Sequence, residues 1–163
     1  ENIVFIPVIE DKPLGTAGAI KNMRPILKSD SILVMNGDSF LDVDLCEFVD
    51  FHFTEKSDVS ILCTLIANSN RYGSVIINEK KQITAFEEKS NQGEQGHISA
   101  GIYLFNGRVI DEISNSGPSL ERDFFQRQPA GRIKAMRTSG EFIDIGTPED
   151  LKRAPYIFRK YFN

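Results

Sequence analysis

Ser31-Ile32-Leu33-Val34-Met35-Asn36-Gly37-Asp38 is the stretch on which the fold class turns. Its apolar residues follow one another without the polar alternation of a half-solvated strand, and Asn36-Gly37-Asp38 stops them. Such a run predicts a strand buried on both faces, as in a parallel sheet. On its amino side, Leu14-Gly15-Thr16-Ala17-Gly18-Ala19-Ile20 is a glycine-bearing turn running into a short helix that Pro25 ends. Before it, Ile3-Val4-Phe5-Ile6 opens a strand-like run to Ile9. On the carboxyl side, Leu45, Phe48, Val49 and Phe53 mark the apolar face of a helix, with Asp44 as its N-cap, and residues 59–66 are again strand-like. The order strand, helix, strand, helix, strand predicts an α/β sheet.

The second half is mixed. Residues 73–77 and 83–87 flank a polar loop and predict a hairpin; 98–105, 133–137 and 142–145 predict strands. Residues 108–113 and 120–126 predict helices around Asn115-Ser116-Gly117-Pro118. Thr147-Pro148-Glu149-Asp150 opens the last helix as N-cap, Pro at the first turn and acids behind it, and Pro155 is expected to bend or shorten that helix.

A chain of 163 residues suits one domain, and 40% hydrophobic with 26% charged residues excludes a disordered or collagen-like chain. A net charge of −4 argues against a broad basic surface for nucleic acid, and no apolar run approaches the roughly 18 residues of a membrane span. Cys46 and Cys63, without a signal-peptide pattern, point to free, buried thiols in a reducing, cytoplasmic compartment. With no starting Met, residues 1–9 read as the interior of a domain.

Four places can carry chemistry. Asp38 follows a strand at its carboxyl end, where open α/β sheets place ligands, and a carboxylate there can hold Mg²⁺. Asp144 repeats the pattern before Gly146. Either acid alone reads first as the brace of a turn, but two, each beside a glycine turn, could converge on one cation. Glu87-Glu88-Lys89 ends a strand with two acids and a point charge suited to phosphate. Gly15-Thr16-Ala17-Gly18 could bring backbone amides to a base or phosphate, though its spacing is neither a P-loop nor a dinucleotide fingerprint. Asp42-Val43-Asp44 has the form of a glycosyltransferase metal triplet, yet N-capping by Asp44 explains it better. His52 lies on the Phe48 side of its helix and reads as a core-edge residue.

Six segments then fall in the order of one family: Glu10-x-x-Pro13-Leu14-Gly15-Thr16-Ala17-Gly18-Ala19, Val34-x-Asn36-Gly37-Asp38, Arg71-Tyr72-Gly73, Phe86-Glu87-Glu88-Lys89, Ser99-Ala100-Gly101-Ile102-Tyr103 and Phe142-Ile143-Asp144-Ile145-Gly146-Thr147-Pro148. The chain resembles the sugar-phosphate nucleotidylyltransferases. Through Ser119-Leu120-Glu121-Arg122-Asp123-Phe124-Phe125 it looks most like the guanylyltransferases of D-glycero-α-D-manno-heptose 1-phosphate, with those of mannose 1-phosphate close behind. The resemblance implies a Rossmann-like, GT-A-like mixed and mainly parallel sheet flanked by helices. The implied reaction moves a nucleotidyl group from an NTP to a sugar 1-phosphate and releases pyrophosphate, serving cell-surface polysaccharide synthesis.

By motif position, Asp38 and Asp144 would hold Mg²⁺ and, with Lys89 on the sugar phosphate, form the catalytic set. Glu10 and Gly15 would meet the base. Gly73, Glu88 and Gly101 would line the sugar pocket, and Thr16, Tyr72 and Ser99 would also touch substrate. An ionised Glu10 can accept from two adjacent guanine N–H donors, which favours GTP. The resemblance leaves a homo-oligomer open and calls for neither nucleic acid nor membrane. The family's opening glycine-rich loop, roughly G-G-x-G-T-R-L, has no counterpart here, since neither Gly15-Thr16 nor Gly146-Thr147 is followed by Arg-Leu. Residues 1–163 therefore read as a single nucleotidylyltransferase domain lacking its N-terminal βα units, inactive alone. A non-catalytic sugar-phosphate-binding module, or a glycosyltransferase using Asp42-Val43-Asp44, remains the alternative class.

Overall fold

The computed structural model describes residues 3–67, 69, 71–87 and 95–161. In chain order the elements are α1 (Thr16–Met23), β1 (Ser31–Met35), β2 (Ser39–Leu41), α2 (Leu45–Thr54), β3 (Val59–Ile66), β4 (Ser74–Ile77), β5 (Ile83–Glu87), β6 (Gly96–Asn106), α3 (Val109–Ser114), a π-helical turn (Leu120–Phe124), a 3₁₀ turn (Phe125–Arg127), β7 (Ile133–Thr138), β8 (Phe142–Asp144) and α4 (Pro148–Phe158). The central sheet has the order β1-β6-β3-β7. β6 is antiparallel to both β1 and β3, and β7 is parallel to β3, so β1, β3 and β7 share one direction and β6 opposes them. The mixed α/β expectation holds, with the opposing strand at the middle of the sheet.

Strand periodicity sorts the core onto two faces. Tyr103 and Phe105 of β6 join Val59, Ile61 and Cys63 of β3 beneath α1 and α3, in a cluster that also takes Phe124 and Phe125. Ala100, Ile102 and Leu104 of β6 join Leu62 of β3 and Phe48 of α2 on the other face. The apolar run at 59–66 is thus a strand covered on both sides, as the sequence predicts. β1 is not. Among the described residues it pairs only with β6, and Leu33 and Met35 remain 40% and 49% exposed.

Other expectations shift for local reasons. Residues 3–10 carry no strand, because no described strand lies alongside to pair with them, and Phe5 and Ile9 are exposed. The hairpin forms as β4 and β5, antiparallel, on its own two-stranded ladder. Residues 120–126 wind as a π turn followed by a 3₁₀ turn rather than an α-helix. α4 passes through Pro155 to Phe158 without stopping there. Asp44 caps α2 by accepting from the Cys46 N–H at 2.7 Å, which settles the use of that carboxylate in the Asp42-Val43-Asp44 triplet. Cys63 is buried, and burial pushes its thiol up to about 12; Cys46, expected to be buried, is exposed at the first turn of α2. Among the described residues no helix is long and apolar enough to cross a membrane.

Candidate functional site

Two backbone devices shape the site. At the end of β1 the Asn36 N–H donates to the Gly101 carbonyl at 2.8 Å. Gly101 has φ +74°, and a Cβ there would stand 2.5 Å from Asn36 Nδ2, so the strand can approach Asn36 only with glycine. The second device is the short ladder of β2 and β8, in which Ser39 faces Asp144. The Ile145 N–H continues that ladder by donating to the Asp38 carbonyl at 2.8 Å. Asp38 and Asp144, far apart in sequence, therefore stand on adjacent rungs.

A cleft of about 570 Å³ opens beside this ladder, its lining including Asn36, Ser39, Tyr72, Ser99, Gly101 and Asp144. A second hollow of about 380 Å³ shares Tyr72, Ser99 and Glu121 with the first and adds Gly73, Glu87 and Arg122. Tyr72 stands edge-on to Phe142, with ring centroids 5.6 Å apart. Gly73, at φ +77°, turns the chain away from it into β4. Ser99 Oγ donates to the Tyr103 hydroxyl at 3.3 Å and accepts the Gly101 N–H at 3.4 Å. Burial raises the Tyr72 and Tyr103 phenols, so both stay neutral hydrogen-bonding groups at neutral pH.

Charge at the mouth is organised by Asp150, which is buried at the start of α4. Its carboxylate accepts from Arg71 at 2.5 Å, from the Thr147 hydroxyl at 2.8 Å and from Arg153 at 3.0 Å. The Arg71 bond is the main cause holding this carboxyl below its ordinary range. Arg71 in turn lies over the Tyr72 ring, 5.3 Å from its centroid, and lines the larger cleft. The structure thus offers a cation anchored from behind and directed along the same wall as Asp144.

Tyr72, Gly73, Ser99, Gly101 and Asp144 come together in this region, with Asp38 one rung away. Glu10, Gly15 and Thr16 do not. The Glu10 carboxylate accepts the Leu14 N–H at 3.2 Å. Thr16 Oγ1 accepts the Leu120 N–H at 2.9 Å, and a Cβ on Gly15 would meet the Pro118 carbonyl at 2.6 Å. Glu88 and Lys89 lie outside the described residues. The sequence alone assigns no part in the site to Arg71, Asp150, Ser39 or Glu121. Arg71 was legible only as part of a triplet, and Asp150 only as a helix-capping acid; their pairing across 79 residues is a tertiary fact. Asp144 does brace its turn, accepting the Gly146 N–H on Oδ1 at 2.7 Å. Asp38 and Asp144 are oxygen donors of the kind Mg²⁺ takes together with water and phosphate oxygens, and among the described residues no group of three or more His, Cys, Asp or Glu gathers into a metal site.

The chain is similar to mannose-1-phosphate guanylyltransferase of Mycobacterium tuberculosis, 34% identical over 150 residues that make up 90% of this chain and 42% of that protein. It is 32% identical over 159 residues to D-glycero-alpha-D-manno-heptose 1-phosphate guanylyltransferase of Aneurinibacillus thermoaerophilus, covering 94% of this chain and 66% of that one. The crystal structure of HddC from Yersinia pseudotuberculosis superposes with a TM-score of 0.77 at 33% identity, over 91% of this chain and 64% of HddC. HddC complexed with GMP-PN superposes equally, with a TM-score of 0.77 at 34% identity, over 93% of this chain and 65% of that one. These 163 residues thus span less than two thirds of each of these relatives. Matched over residues 2–159, the chain belongs to the nucleotidyl transferase family.

Proposed function

We propose that the protein containing these residues transfers a nucleotidyl group from a nucleoside triphosphate, GTP by preference, to a sugar 1-phosphate. The acceptor we favour is D-glycero-α-D-manno-heptose 1-phosphate, with mannose 1-phosphate the next choice; the GDP-sugar would feed cell-surface polysaccharide synthesis in the cytoplasm. The observation that carries the reading is the convergence of Tyr72, Gly73, Ser99, Gly101 and Asp144 on two joined hollows in a chain of this family. The similarity to two guanylyltransferases and to HddC in complex with GMP-PN supports the choice of nucleotide.

The chemistry asks little of a general base. A phosphate oxygen of the sugar 1-phosphate is already anionic; it bonds to the α-phosphorus as the bond to the bridging oxygen of pyrophosphate breaks. The barrier is repulsion between anions and the cost of aligning them, which fixed cations and positioned donors lower. Asp38 and Asp144 would hold Mg²⁺, which would neutralise charge developing on the phosphates. Arg71, held by Asp150, offers a cation at the same wall. Neutral Tyr72 and the Ser99 hydroxyl can bond the sugar's hydroxyls, and Gly73 and Gly101 let the ring approach the backbone. We assign Lys89 to the sugar phosphate and Glu88 to sugar hydroxyls on the resemblance alone.

The test is pyrophosphate release by the full-length protein across nucleoside triphosphates and sugar 1-phosphates. Release should be greatest with GTP, and Asp144→Asn should lower turnover by about 100-fold or more, since a charge clamp on the transition state is lost. A folded full-length protein that releases no pyrophosphate with any pair sinks the proposal.

A further inference from the structure

The π turn at Leu120–Phe124 is held at a fixed height by contacts on every side. The Phe125 N–H reaches the carbonyls of both Leu120 and Glu121, the wide closure that defines the turn. Ser119 caps it, accepting the Arg122 N–H at 3.2 Å, and Asp123 accepts the Ser119 N–H at 2.8 Å. Leu120 and Phe124 are buried in the core. From the other side, Thr16 accepts the Leu120 N–H and the Ala17 N–H donates to the Pro118 carbonyl, each at 2.9 Å. The Gly15-Thr16-Ala17 segment therefore serves as the buttress of this turn. π geometry is rare, and its single turns occur frequently at functional sites.

The exposed acidic residue of this turn that belongs to the site is Glu121. With Tyr72 and Ser99 it lines both hollows, at the place where they join. Its negative charge adds to the upward push that burial exerts on the Tyr103 phenol, and Tyr103, the hydroxyl partner of Ser99, lines the larger cleft with it. An ionised carboxylate only accepts hydrogen bonds and repels phosphate. Where Arg71 and Arg122 supply positive charge along the same walls, it is suited to the uncharged, hydroxyl-rich part of a substrate. We infer that Glu121, presented by the π turn, is a substrate-binding residue that reads the hydroxyl pattern of the sugar ring at the junction of the two hollows. This rests on the acceptor being a sugar phosphate, as proposed above.

The experiment uses the full-length protein, mannose 1-phosphate and its 2-, 3-, 4- and 6-deoxy analogues. The unaltered protein should use one or two analogues about 10- to 100-fold less well, the worth of a hydrogen bond to a charged group. Glu121→Ala should raise KM for mannose 1-phosphate by a similar factor, leave KM for GTP unchanged and abolish that discrimination. Glu121→Gln, which keeps one acceptor, should restore part of it. A merely structural role would lower activity with every analogue alike. An active protein whose Glu121→Ala variant keeps the original discrimination overturns the inference and leaves nucleotidyl transfer standing. If no pair reacts, calorimetric titration with mannose 1-phosphate decides separately. Binding weakened by Glu121→Ala upholds the inference, and binding that is absent or unaffected overturns it.

Discussion

His52 shows how far one residue's environment can depart from its place in the sequence. It is 2% exposed, its Nδ1 lies 2.8 Å from Ser60 Oγ, and its ring stands edge-on to Phe53. Burial disfavours the imidazolium and lowers its pKa from 6.5, against a smaller upward pull from Asp58. The folded state therefore binds this proton less readily than the unfolded chain. Stability contributed by neutral His52 is complete above about pH 6.5 and is lost as pH falls through the folded value, because the unfolded state then takes up more protons. Urea unfolding midpoints of the full-length protein should fall between about pH 7 and about pH 5. His52→Gln should flatten that slope; an identical slope in the variant would remove His52 as its source. The periodicity of 45–54 placed His52 beside the core, but the depth of burial that sets its charge came from β3 packing behind it.

At the scale of elements, most strands and caps were legible because their causes are local. Asp44 and Thr147 cap their helices through side-chain oxygens within a few residues, accepting from Cys46 and Asp150. Pro155, expected to bend or shorten the last helix, lies inside α4, which continues to Phe158. Pro155 lies on the exposed side of α4, after two turns, and the helix simply forgoes the bond that its missing N–H would have made to Leu151. Tertiary support around Ala154 and Asp150, both buried, outweighs that loss. Pro155→Ala should therefore raise stability by about 1–3 kcal/mol, read as an increase in Tm. No change, or a decrease, would mean that the proline's ring has packing value in α4 that exposure hides. The π turn at 120–124 was equally out of reach of pattern reading. Its residues alternate as a helix would, and its wider winding is accompanied by bonds to Thr16 and Ser119 and by the Ala17 to Pro118 bond beside it.

For the molecule as a whole, the exposed apolar surface is the dominant physical fact. Ile3, Val4, Phe5 and Ile9 are more than three-quarters exposed, and β1 presents Leu33 and Met35 beside an edge that no described strand pairs. Apolar surface and an open strand edge both favour association with like chains. The 163 residues expressed by themselves should self-associate with rising concentration in sedimentation velocity, and replacing Phe5 and Ile9 by Lys should reduce this. A monodisperse monomer at every concentration would contradict the expectation. What the amino-acid order determined alone was the succession of elements, the caps, the glycine turns and the motif series, since hydrophobic period and turn chemistry act over a few residues. Tertiary structure alone decided that Asp38 and Asp144 share a ladder and that Arg71 reaches Asp150. It also decided that Gly15 and Thr16 serve the π turn and that β6 opposes its neighbours. Each of these joins residues 60 or more apart or turns on strand direction, and such pairings are selected by the packing of the complete sheet rather than by any local preference.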